Sequence, residues 1–212
     1  MKETVKAFYI AFFISLAMFF SGIFIGKAIA QSMFLNTENE ILKLINNVYT
    51  LNTMLYLSKN LSCDEKRVLL SQIPIGEIGR YLTAIEREYG YNDEKVLLLK
   101  EFYIINLIRM YESLKEYNQK CKFNWTLILY FYSNDPKYRE PCAEQGRYLD
   151  YVVYKHWPKV RVFAIEGKLI NNPLIDYLKK KYNVTTFPTI IINDKIILRG
   201  VVKPEVLERY IK

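Results

Sequence analysis

The sequence holds one histidine and three cysteines in 212 residues, and the cysteines show no metal-ligand spacing. A zinc site needs clustered Cys and His donors, so no metal and no other cofactor is expected. A nucleophile elbow, a phosphate loop and a paired-carboxylate motif are missing too, which leaves enzymes outside the redox class without support. With only 8 glycines and 7 prolines, collagen-like and disordered compositions are excluded. Clustered basic charge is also scarce. The formal net charge is +8, yet the one basic run is Lys179-Lys180-Lys181, at the end of an expected helix, where cations suit the helix dipole. No nucleic-acid partner is expected, although the excess charge suits an anionic membrane surface.

What the chain does have is a long apolar run. Residues 7–26 carry no charge, with Lys2, Glu3 and Lys6 before them and Lys27 after. That is the span a bilayer requires. A cleaved signal peptide competes with this assignment, because Ala28-Ile29-Ala30 has the form of a cleavage site. Its apolar core is ordinarily about 7–15 residues, shorter than the run here. Residues 1–30 are therefore expected to be a transmembrane signal-anchor in contact with membrane lipid. Lys2 and Lys6 favour an inside N-terminus, which makes the chain a single-pass cell-membrane protein with its remainder extracytoplasmic.

Residues 37–120 have helical periodicity. Thr37-Glu38-Asn39-Glu40 and Ser62-Cys63-Asp64-Glu65 both have capping-box form before apolar stripes, so two helices are expected to start there. Gly90 to Asp93 supply a stop and a new N-cap, after which Val96, Leu99, Tyr103, Leu107, Met110 and Leu114 line a third helix. Pro74 is expected to interrupt the second. Helices over 63–89 and 93–119 joined by so short a turn run antiparallel. Cys63 and Cys121 then lie at neighbouring ends, and a disulfide between them is expected, as the extracytoplasmic location permits. Two unpaired thiols are the alternative.

From residue 123 the pattern changes to that of an α/β domain, 123–212. Trp125 to Tyr132 form a β-branched and aromatic run suited to a buried central strand. A loop over 133–139 leads to a helix beginning near Glu140 and Pro141 and ending near His156. Strand 160–165, a helix opened by Asn172-Pro173, a hairpin turning at Asn193-Asp194 and a helix after Pro204 complete the order βαβαββα.

This order resembles the thioredoxin family over about 90 residues, and the segment Tyr182 to Ile192, with Phe187-Pro188-Thr189 inside it, looks like the family's cis-proline before a core strand. The layout of one anchor, a helical hairpin with a Cys at each end and this domain last also resembles membrane-anchored thioredoxin-like proteins encoded by archaea. The resemblance implies a redox site of two thiols at the start of the domain's first helix. The matching residues here are Arg139-Glu140-Pro141-Cys142, so Arg139 stands in the attacking cysteine's place and Cys142 in the resolving one's. The family's buried acid matches Tyr130. A complete dithiol cycle cannot run on this set. Two functions remain: a scaffold that binds a protein or peptide partner beside Arg139, Phe187 and Pro188, or a thiol-disulfide oxidoreductase using Cys142 as a monothiol. Cys142 as a small buried packing residue fits the first. His156 is expected at a helix C-terminus, and Tyr148, Tyr151 and Tyr154 are expected to pack an amphipathic helix.

Overall fold

The computed structural model describes residues 2–73, 75–169 and 172–211. Helix α1 (Lys2–Ser58) is followed by α2 (Cys63–Ser71), α3 (Ile75–Tyr89) and α4 (Glu94–Cys121). Strand β1 (Thr126–Tyr132), α5 (Pro136–His156), β2 (Val160–Glu166), α6 (Pro173–Lys181), β3 (Thr189–Ile192), β4 (Ile196–Arg199) and α7 (Pro204–Glu208) follow. The βαβαββα order is the one expected.

Within α1, Phe8–Ile29 is long and apolar enough to cross a membrane, and none of it is buried in the protein. The helix does not restart at Thr37. Residues 27–37 contain neither glycine nor proline, and extending an existing helix is far cheaper than nucleating a new one. The same helix therefore continues to Ser58 and buries Leu44, Val48, Leu51 and Leu55 on one face. The expected boundary between residues 30 and 37 is thus replaced by continuous helix.

The second capping box forms: Ser62 N donates to Glu65 Oε2 (2.9 Å) and Glu65 N to Ser62 Oγ (3.4 Å). Helix breaks at residues 72–73; Pro74 itself lies outside the described residues. At α4, Asp93 caps by accepting from Lys95 N (2.9 Å). The first residue of α2 and the last of α4 are joined by the Cys63–Cys121 disulfide, with Cα atoms 5.4 Å apart.

The sheet order is β2-β1-β3-β4, with β1 parallel to β2 and antiparallel to β3. Strand β1 is central, and its side chains alternate between two cores. Leu127, Leu129 and Phe131 face the helical bundle and α6, in one core with Leu107, Tyr111 and Leu114 of α4. Ile128 and Tyr130 face α5 and α7 with Leu149, Val152 and Leu207. Residues 37–120 and 123–212 consequently share a core instead of packing as independent units.

At the β3–β4 turn, Asn193 (φ 50°) and Asp194 (φ 59°) are both left-handed, as a two-residue type I′ hairpin demands. Asn193 Oδ1 accepts from Leu127 N (2.8 Å), tying the turn to β1. Asp194 accepts from the hydroxyls of Tyr111 and Tyr182 and pairs with Lys115 Nζ (3.0 Å). Burial alone would raise its carboxyl, but these donors outweigh burial and hold it below its ordinary value.

Candidate functional site

Helix α5 begins at Pro136, four residues before its expected start. Asp135 accepts from Lys137 N (3.1 Å) as N-cap and Pro136 fills the first helical position, where a missing N–H costs nothing. Pro141 is therefore inside the helix. Cys142 lies well past the first turn, beyond the reach of the helix N-terminus, whose field fades within that turn.

The Cys142 thiol is 5% exposed. Burial pushes its pKa up; the Ser133 backbone and the Tyr130 hydroxyl pull the other way, and the Glu166 charge adds to the rise. Tyr130 donates to the Cys142 carbonyl (2.5 Å), and burial keeps its hydroxyl protonated. The backbone of Cys142 is thus held by a neutral phenol, not by an acid.

A carboxylate does stand nearby, from a position that strand matching alone did not single out. Glu166 ends β2, buried, accepting from Asn134 N (3.1 Å) and Lys168 N (3.4 Å). Burial raises its pKa, against the pull of Lys100 and these donors. Lys100, 2% exposed, places Nζ 3.9 Å from Glu166 Oε2 and 2.6 Å from Glu86 Oε1. The Glu86 contact lacks hydrogen-bond geometry, so it is an ion pair without a directed bond. The readable signal for this cluster was Lys100 in the apolar stripe Val96, Tyr103, Leu107.

A cleft of about 420 Å³ opens between α3 and α5 beside β2. Small residues make the space: Gly76, Gly79 and Thr83 on α3, Ala143 and Gly146 on α5. Cys142 and Tyr130 line its buried side, while the exposed Arg80 and Arg139 line the solvent side. The Arg139 guanidinium donates to Asn134 O (3.1 Å) and lies 5.2 Å from the Tyr91 ring.

Arg161 also lines the cleft, and nothing in the sequence reading singled it out. It is 1% exposed, donates from Nη2 to Ser71 O (3.1 Å) and lies over the Trp157 ring at 4.0 Å. Its Nε and Nη1 have no acceptor among the described residues. Burial lowers its pKa to about 10, so it remains a cation at neutral pH.

Phe187 and Pro188 lie outside this cleft. Their peptide bond is cis. The Phe187 ring packs on Tyr138 and over Gly167, where an added Cβ would come 2.2 Å from the ring. Pro188 is buried. The cleft therefore brings Cys142 and Arg139 together, but not the other two.

Comparison with known proteins gives no relative. No protein-family model matches this chain, and no curated protein or solved structure matches it either.

His156 ends α5 as expected, with Nε2 3.3 Å from Glu208 Oε1. The tyrosines of α5 depart from expectation. Tyr148 is half-buried and bonds Glu144 (2.8 Å), but Tyr151 is exposed and Tyr154 is 86% exposed. The packing face of α5 is carried by Gln145, Leu149 and Val152 instead.

Proposed function

We propose that this chain is a membrane-anchored, extracytoplasmic binding module for a protein or peptide partner, built on a thioredoxin-like domain whose thiol chemistry is not used. Phe8–Ile29 is the anchor, and the Cys63–Cys121 disulfide supports an oxidising compartment for the rest. The sheet order and the cis Phe187–Pro188 bond support the thioredoxin-like assignment. The absence of thiol chemistry is carried by one observation: the lone free cysteine, Cys142, is buried, with its pKa raised. A nucleophile needs the thiolate and an exposed sulfur, and burial works against both at Cys142, on the inner side of the cleft. The binding surface is the cleft between α3 and α5, not the Phe187-Pro188 segment.

Mixed-disulfide trapping tests this. Cells expressing the full chain are quenched with N-ethylmaleimide and run without reductant. Wild type and Cys142→Ser are expected to give the same bands. An adduct present in wild type and lost in Cys142→Ser would show that the thiol turns over, and would restore the monothiol oxidoreductase.

A further inference from the structure

Strand β2 is at the edge of the sheet, paired only with β1. Two ladder bonds fix which of its residues face the pairing side. Thr126 N donates to Lys159 O and Gly167 N to Tyr132 O, both at 2.8 Å. Backbone groups alternate in direction along a strand. Residues 159, 161, 163, 165 and 167 thus point their N–H and C=O groups at β1, and Val160, Val162 and Ala164 point theirs away. Those same three residues line the cleft between α3 and α5.

An edge strand with unpaired backbone is a template for another chain. Val160 is fully buried, so the accessible stretch runs from Val162 to Ala164, ~7 Å, room to pair about two residues of extended chain. The charge around it has a sign. Arg80 and Arg139 stand on the solvent side, and Arg161 supplies two N–H-bearing nitrogens without acceptors. Against them are Glu86, paired with Lys100, and Asp150, whose carboxyl is raised by burial despite Arg80.

We infer that an extended, acidic segment of a partner protein adds to the outer edge of β2 within this cleft, pairing with the backbone of Val162 and Ala164. The inference rests on the binding function proposed above and names its ligand. A small apolar molecule would fill the same volume but would leave these backbone groups unpaired.

The test uses the full chain in lipid nanodiscs. The probe is a capped hexapeptide of alternating glutamate and valine, with a lysine-and-valine hexapeptide as control. Residue-resolved amide exchange in the free protein is expected to be faster at Val162 and Ala164 than at Arg161 and Phe163. Saturating acidic peptide is expected to slow the first two at least tenfold. Val162→Pro removes one outward N–H and no bond to β1, a placement that edge strands tolerate. It is expected to weaken peptide binding at least tenfold while Arg161 and Phe163 stay protected. Should that variant fail to fold, exchange in the wild type still decides.

Three outcomes overturn the inference: no slowing at these two amides under saturating acidic peptide, protection there already in the free protein, or equal binding of the lysine peptide. Each leaves the trapping result for Cys142 untouched, so the edge-docking site can fail while the non-redox function stands.

Discussion

Replacing Lys100 with methionine is expected to destabilise the protein by about 3–5 kcal/mol at neutral pH, the usual cost of stranding buried charge. Lys100 is the only cation that pairs with Glu86 and Glu166 among the described residues. Its removal leaves two carboxylates in the shared core between α3, α4 and β2. One relief is open to Glu166, which is to take up a proton. Glu166 is already raised from its ordinary 4.5 by burial, and losing Lys100 raises it further.

The sign of the pH dependence follows from linkage. A carboxyl with a raised folded pKa contributes stability that is fully present below about 4.5, its value in the unfolded chain. That contribution is lost as pH rises through the folded value. The deficit of Lys100→Met is therefore expected to be small near pH 4.5 and to grow towards neutrality, read as the denaturation midpoint across that range. Asp194, held low, has the opposite sign: its stabilisation is present above about 3.8 and lost as pH falls. Comparing the variant with wild type at each pH removes that background. A deficit under 1 kcal/mol at pH 7, with no pH trend, would mean that the pairing contributes little.

Removing the Cys63–Cys121 bond is expected to cost about 4 kcal/mol, the chain-entropy value for closing a loop of this size; the two cysteines are 58 residues apart in sequence. For a protein of this length that lowers Tm by roughly 8–16 °C. The bond fastens α2 to the end of α4, where Arg67 lies 5.0 Å from the Phe123 ring and Lys66 5.3 Å from the Tyr117 ring. Exposed cation–ring contacts contribute only about 0.5–1 kcal/mol each, so they do not replace the covalent link. Cys63→Ser/Cys121→Ser is expected to melt at lower temperature than the oxidised wild type and to be insensitive to reductant. An unchanged Tm on reduction of wild type would contradict this.

Much of the fold was legible because local signals agreed with one another. The Ser62–Glu65 box, Asp93, Asn172 and the Asn193-Asp194 turn each mark an element boundary that tertiary packing left in place. Two boundaries failed for identifiable reasons. Thr37 has capping form, but an uninterrupted helix arriving from the apolar segment leaves nothing to cap. At α5, Asp135-Pro136 is a stronger start than Glu140-Pro141, because it combines an accepting side chain with proline at the first helical position.

The candidate site was less legible. Cys142 and Arg139 were singled out by a resemblance that implies a helix start at their position, whereas α5 begins further upstream, at Pro136. Glu166, Lys100 and Arg161 break the apolar pattern of their own elements, and each is a charged residue at a position whose neighbours are buried. That contradiction is visible in the sequence, but which charges meet depends on packing across α4 and β2. The cleft itself arises from small residues on helices about 60 positions apart, Gly79 and Gly146 among them, which no local pattern connects.

The most direct test is cysteine labelling of the full chain in intact cells with a membrane-impermeant maleimide near neutral pH, each site read by peptide mass. An outward-facing, disulfide-bonded domain with a non-reactive Cys142 predicts no labelling at first. Reductant then exposes Cys63 and Cys121 alone, and Cys142 labels only after denaturation. Rapid labelling of Cys142 in the folded protein would contradict the non-redox function, and labelling of Cys63 and Cys121 only after lysis would place the domain on the other side of the membrane.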